Sequence, residues 1–166
     1  MATRCNVIVR LSADSTVILY RHWDGYPAVT GADLVTIARK TFETCDVYSM
    51  GTALVRALLE TKRGGYGRDK DQPQYELTDS IHGDVEHVYA FKPWEPWGSD
   101  TPEKGCSVEH RERSGYGEEA SWIHRTYPSM DAFAGRCVNP ERATLLARLA
   151  ERGQVTAEDR AAFAPL

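Results

Sequence analysis

Residues 4–11 and 16–23 concentrate Val, Ile, Leu and Tyr, and in the first run Cys5, Val7 and Val9 fall on one face of a strand. Ser12-Ala-Asp-Ser15 between them is turn chemistry, so the chain is expected to open with a β-hairpin. Thr30-Gly-Ala-Asp33 has the spacing of a capping box and predicts a helix from near Gly31 to about Thr44. Leu34, Ile37, Ala38 and Phe42 then form one apolar stripe that needs a sheet to lie against. Ser49 is positioned to cap a second helix, in which Ala53, Leu54, Ala57 and Leu58 repeat the period until Gly64-Gly65.

Residues 62–73 carry three glycines and four basic side chains with no apolar period, which predicts a loop. Tyr75–Thr78 and Val85–Phe91 read as strands, and the Ile81-His-Gly-Asp84 link suits a hairpin between them. Pro93 and Pro96 each lack a ladder donor, so 92–105 is expected to leave the sheet as an irregular excursion. Ser107–Arg111 is a further strand candidate, followed by a polar loop over 114–119. A helical turn is expected from Met130 to Phe133. Pro140 opens a helix bearing Leu145, Leu146 and Leu149, and Thr156–Asp159 caps a last short one. A strand pair, a helix pair, strands and helices in that order predict an α+β fold: an antiparallel sheet beginning with a hairpin, helices on one face, and a helical C-terminal segment over 139–166. No linker divides the chain, so 1–166 reads as a single domain.

Composition narrows the function classes. Hydrophobic residues at 42% and charged residues at 27% are ordinary globular usage, which argues against wholesale disorder. A net charge of −4 weighs against nucleic acid as a partner. No apolar run approaches the roughly 20 residues that span a bilayer, and Arg4 and Arg10 interrupt any signal-peptide core, so a cytoplasmic protein without a membrane partner is expected. Cys5, Cys45, Cys106 and Cys137 include no C-x-x-C pair and read as free thiols.

The densest chemistry lies in Tyr20-Arg-His-Trp-Asp-Gly-Tyr-Pro27, where a strand hands over to a helix. Strand alternation sends Tyr20 and His22 to one face and Arg21 and Trp23 to the other. Trp23 and Tyr26 offer stacking faces, Arg21 a phosphate contact, and His22 and Asp24 polar edges, a set suited to a phosphorylated nucleotide. Arg4 on the first strand adds a second cation to that end. Lys62, Arg63, Tyr66 and Arg68 are placed to guard the entrance from the glycine-rich loop. The structural alternative makes Trp23 and Tyr26 a lid on the sheet end and pairs Arg21 with Asp24.

Catalytic patterns are sparse. His22 with Asp24 is a conceivable general-base pair without a nucleophile. His124-Arg-Thr126 is half of the H-x-[ST] pair of metal-free phosphoesterases, so an enzyme reading rests on His22, Asp24 and His124. Neither a P-loop nor a G-x-S-x-G or H-E-x-x-H pattern occurs. His82, Asp84, Glu86 and His87 mix metal-ligand types, but alternation splits them between faces, so neither metal nor cofactor is expected. Trp94 and Trp97 in the excursion are candidate anchors for a protein partner, the basis of a third reading as an inhibitor.

The opening Met-Ala-Thr-Arg-Cys-Asn-Val, the Leu19–Pro27 block with Gly31, and Tyr75-Glu-Leu-Thr, Ile81-His-Gly-Asp and Val88-Tyr89 resemble a family of small phage and prophage proteins, mostly of unassigned function. The resemblance covers about residues 1–91. It implies a phage accessory protein in a bacterial host cytoplasm, and by analogy one that sequesters a small nucleotide signal of host defence without turnover. A homo-oligomer is the expected assembly.

Overall fold

The computed structural model describes residues 3–63, 71–93, 105–115 and 120–137. Of the excursion expected over 92–105, Lys92 and Pro93 instead end a strand, paired with Ser107 and Cys106, with the proline at its last position, where a missing N–H is tolerated. Residues 94–104, with Trp94 and Trp97, and the helices expected over 139–166 lie outside the described residues.

The fold is α+β, built on a six-stranded sheet. Strands β1 (Cys5–Arg10) and β2 (Thr16–Arg21) form the expected hairpin, paired from Cys5↔Arg21 to Arg10↔Thr16. Arg10 fixes its turn by donating to the carbonyls of Ser12 and Ala13 at 3.0 and 2.8 Å. Helices α1 (Ala32–Thr44) and α2 (Met50–Glu60) follow, then β3 (Glu76–Thr78), β4 (His87–Pro93), β5 (Cys106–Ser114), β6 (Ser121–Tyr127) and α3 (Met130–Cys137). The strand order is β3-β2-β1-β4-β5-β6.

The sheet is mixed, because β4 runs parallel to β1 while every other pair is antiparallel. The hairpin expected between β3 and β4 is therefore replaced by a crossover. β3 adds to the far side of β2, and residues 79–86 carry the chain back across the sheet to the free side of β1. Side-chain docking explains the route: the His82 ring stacks on Tyr20 at 4.1 Å, and the His82 N–H donates to Asn6 Oδ1 at 3.0 Å. Val85 and Val88 close over Tyr20 and Ile8 beneath the link. The strand expected at 85–91 begins at His87, where the Glu86 and His87 N–H groups both donate to the Arg4 carbonyl beside the Cys5↔His87 pair.

Cys5, Val7, Val9, Leu19, Tyr89, Phe91 and Val108 share one sheet face and bury it against Leu34, Ala38 and Phe42 of α1, Leu54 and Leu58 of α2, and Phe133 of α3. The apolar stripes read from the sequence supply this core, at roughly 1.5–3 kcal/mol for each large side chain withdrawn from water. Both helix starts differ from expectation. Thr30 donates to the Asp24 carbonyl at 2.6 Å instead of capping, the chain enters α1 through a π-type turn over Pro27–Gly31, and the Asp33 carboxylate turns to Arg21. Ahead of α2, Asp46 is the capping side chain, accepting from the N–H groups of Tyr48 and Ser49.

Candidate functional site

Arg21 ends β2 on the helix-covered face. Its guanidinium donates to Asp33 Oδ2 at 2.9 Å, to the Tyr75 hydroxyl at 3.1 Å and to the Trp23 carbonyl at 2.8 Å, and lies 5.5 Å from the Tyr75 ring centre. Gln74 adds a hydrogen bond to the same Asp33 oxygen at 3.2 Å. The cation at this joint thus ties β2, α1 and the segment before β3 together, and its partner is Asp33 rather than the neighbouring Asp24.

The companions expected around Arg21 are arranged differently. Trp23 and Tyr26 are exposed, Asp24 adopts a positive φ of 56°, and His22 approaches Glu76 at 4.0 Å. Arg4 faces Asp84 at 2.6 Å on the surface. Arg63 and Lys62 lie at the base of the glycine-rich loop, where the Arg63 N–H bonds to the Gln72 carbonyl and Lys62 bridges Pro73. Tyr66 and Arg68 lie outside the described residues. Three cavities formed by described residues, of about 340, 390 and 320 Å³, are lined by other side chains.

The cavity of about 320 Å³ lies on the sheet face turned away from the helices. Strand alternation puts Val88 of β4, Glu109 and Arg111 of β5, and Trp122 and His124 of β6 on that face, and Arg111 sits directly across the ladder from His124. Ile81, Val88, Arg111, Trp122 and His124 line the groove. Trp122 is 46% exposed, a large ring left half in water beside a cation and an imidazole. Glu109 anchors the polar side. Its carboxylate takes a hydrogen bond from Lys92, lies 3.6 Å from His124 Nε2 and 3.9 Å from Arg111, and is held below the usual carboxylate range, chiefly by Lys92. His124 and Thr126 project from the same face, as the half-motif requires, and each of the chain's five histidines can be placed. His22, at the end of β2, is four strand spacings from β6, about 19 Å, too far to share one phosphate with His124.

A second histidine grouping is interior. His87 Nδ1 lies 3.1 Å from His110 Nε2, both rings stack with Tyr89, and His110 Nδ1 has no hydrogen-bond partner. Glu112, held by Arg125 and Arg136 at 3.1 and 3.4 Å, is the nearest acid across the ladder. The residues considered as metal ligands are dispersed: His82 on Tyr20, Asp84 on Arg4, His87 on His110. Among the described residues no three His, Cys, Asp or Glu side chains gather in a way that could hold a metal ion, and no helix is long and apolar enough to cross a membrane.

The sequence signal for the groove is the Trp, Ile, Thr and Tyr content of Ser121–Tyr127, which marks a strand, but only the pairing of that strand with β5 brings Trp122 and His124 beside Arg111. Searches against family models, curated proteins and solved structures return no match to this chain.

Proposed function

We propose that the protein binds a small, ring-bearing anion of mononucleotide size, without turnover, in the groove on the open sheet face. The observation that carries this reading is the grouping of Trp122, Arg111 and His124 around a cavity of about 320 Å³. An indole stacks any nucleobase, for about 1–3 kcal/mol per base. Arg111 supplies a planar, bidentate contact for phosphate, and its pairing with Glu109 is long at 3.9 Å, so its guanidinium retains free donors. His124 reads a polar edge, with Glu109 orienting its ring. The cavity lies at the lower end of the 300–1,000 Å³ typical of small-molecule sites, which favours one nucleotide over an oligomer.

In this reading the protein is a phage-encoded sequestering protein of the bacterial cytoplasm, acting against a nucleotide signal of host defence and working as a homo-oligomer. Support for that setting is the resemblance of residues 1–91 to the phage family. Calorimetric titration with mononucleotides, cyclic nucleotides and ADP-ribose is the test. Saturable heat with ligand recovered intact is expected, and silence across the panel from folded protein would end the proposal. The 3.6 Å approach of His124 to Glu109 favours one second reading, a metal-independent hydrolase in which the carboxylate orients His124 as general base. New products on chromatography after incubation would select it.

A further inference from the structure

We propose that the outer edge of β6 pairs antiparallel with β6 of a second copy, joining two sheets into one twelve-stranded sheet around a two-fold axis at His124. This deepens the reading above by naming the surface through which its homo-oligomer forms.

The sheet ends differently at its two sides. On one side β3 offers three residues. On the other, β6 presents seven residues, Ser-Trp-Ile-His-Arg-Thr-Tyr, whose outer backbone groups pair with nothing among the described residues. Such an edge is ordinarily blunted by proline, a bulge, shortness or projecting charge. β6 has neither proline nor glycine, and its one permanent charge, Arg125, is drawn back to Glu112 at 3.1 Å. It also exposes a large apolar side chain to each face, Trp122 at 46% and Ile123 at 41%. The chemistry that satisfies a row of free N–H and C=O groups flanked by apolar side chains is another strand.

The sequence of β6 selects its own copy as that strand. A two-fold axis perpendicular to the sheet keeps like faces together, so even-numbered residues must meet even-numbered ones. Centring the pair on His124 engages all seven residues, setting Ser121 against Tyr127, Trp122 against Thr126 and Ile123 against Arg125 of the partner subunit. Moving the centre to Arg125 shortens the ladder and sets two guanidinium groups face to face, which like-charge repulsion disfavours. Pairing β6 with β3 of the next molecule would never close and would grow fibres, and the three-residue β3 gives that mode little ladder. In the His124-centred dimer the open faces run into one another, and Thr126 of the partner subunit borders Trp122 and so the groove.

Light scattering on the full chain is expected to give twice the chain mass. Ile123→Lys, which plants a charge on the seam from an exposed position, is expected to weaken the dimer at least tenfold while circular dichroism shows the fold retained. Thr126→Lys serves as a second edge variant should the first fail to fold. In a Cys45→Ser background, His124→Cys is expected to form an intermolecular disulfide on mild oxidation, since residues on the axis face their own copies within the Cα separation a disulfide allows. A monomeric wild type, a dimer indifferent to both lysines, or a His124→Cys protein that does not cross-link would overturn the proposal. Ligand titration of the Ile123→Lys monomer keeps the two readings apart, because all five groove residues come from one chain.

Discussion

The imidazole of His110 lies almost parallel to the phenol ring of Tyr89, 4.8 Å between centres and 6° between planes, inside the core. His87 completes the stack and shares a hydrogen bond with His110. Burial first, and the neighbouring His87 second, push the His110 pKa down to about 4, and burial lowers that of His87 as well. Glu112 opposes this shift, while Arg125 and Arg136 reinforce it for His110. In the unfolded chain both imidazoles titrate near 6.5, so between about pH 6.5 and 4 the unfolded state binds more protons than the folded one. The stability held by His110 is therefore present above pH 6.5 and falls as pH drops through that window, with a slope of up to about 1.4 kcal/mol per pH unit, and His87 contributes in the same direction. Thermal melts from pH 7.5 to 4.5 should show a falling Tm, and His110→Phe should flatten the curve. A Tm unchanged across the range would refute the account.

The Arg21–Asp33 pair makes a different kind of prediction. Arg21 is 9% exposed at its side chain and Asp33 45%, so Asp33→Ala strands a largely buried cation while Arg21→Ala leaves a carboxylate that water can reach. Asp33→Ala should cost about 1.5–3 kcal/mol by urea unfolding, in the range for a hydrogen bond to a charged partner. If ligand binding rests on the groove, Asp33→Ala leaves the affinity of the folded fraction unchanged, so a selective loss of affinity would return the site to the β2–α1 joint.

Tyr89 reaches from β4 to donate to the Gly25 carbonyl at 2.7 Å, and a Cβ on Gly25 would come within 2.7 Å of the Arg4 carbonyl carbon. The turn after β2 is thus pressed against the start of β1. Tyr89→Phe should cost about 1–2 kcal/mol for the orphaned acceptor. Gly25→Ala should cost more, because backbone cannot rotate away as a side chain can. Equal Tm values for the two variants would show that the close approach is not maintained.

In the groove, Trp122→Ala should weaken nucleotide binding by about ten- to a hundredfold, corresponding to one stacked base. Arg111→Lys should restore only part of what Arg111→Ala loses, because an ammonium cannot contact phosphate bidentately. Calorimetry on the three variants checks both, and unchanged affinity in Trp122→Ala would remove stacking from the binding.

Thiol chemistry offers an inexpensive check on the core. Burial pushes the thiols of Cys5, Cys106 and Cys137 up to about 12, and all three are buried, whereas Cys45 is only partly covered. Titration of native protein with a disulfide reagent at pH 8 should modify one cysteine quickly and the other three only on unfolding. Rapid reaction of all four would mean that α3, which carries Cys137, does not stay docked on the core.

What the sequence determined by itself was local. Apolar spacing placed β1, β2, α1 and α2 close to their observed bounds, and Cys5, Val7 and Val9 lie on the buried face because alternation along a strand is fixed by covalent geometry. It also marked the β2–α1 joint as chemically dense, without saying whether Arg21 turns to a ligand or to the protein. That choice belongs to Asp33 and Tyr75, which only folding brings to the guanidinium. The parallel β1–β4 pairing, the crossover at 79–86 and the groove are tertiary decisions of the same kind. They depend on contacts such as His82 on Tyr20 and Arg111 opposite His124, between residues far apart in the chain, whose energies appear only once the sheet is assembled.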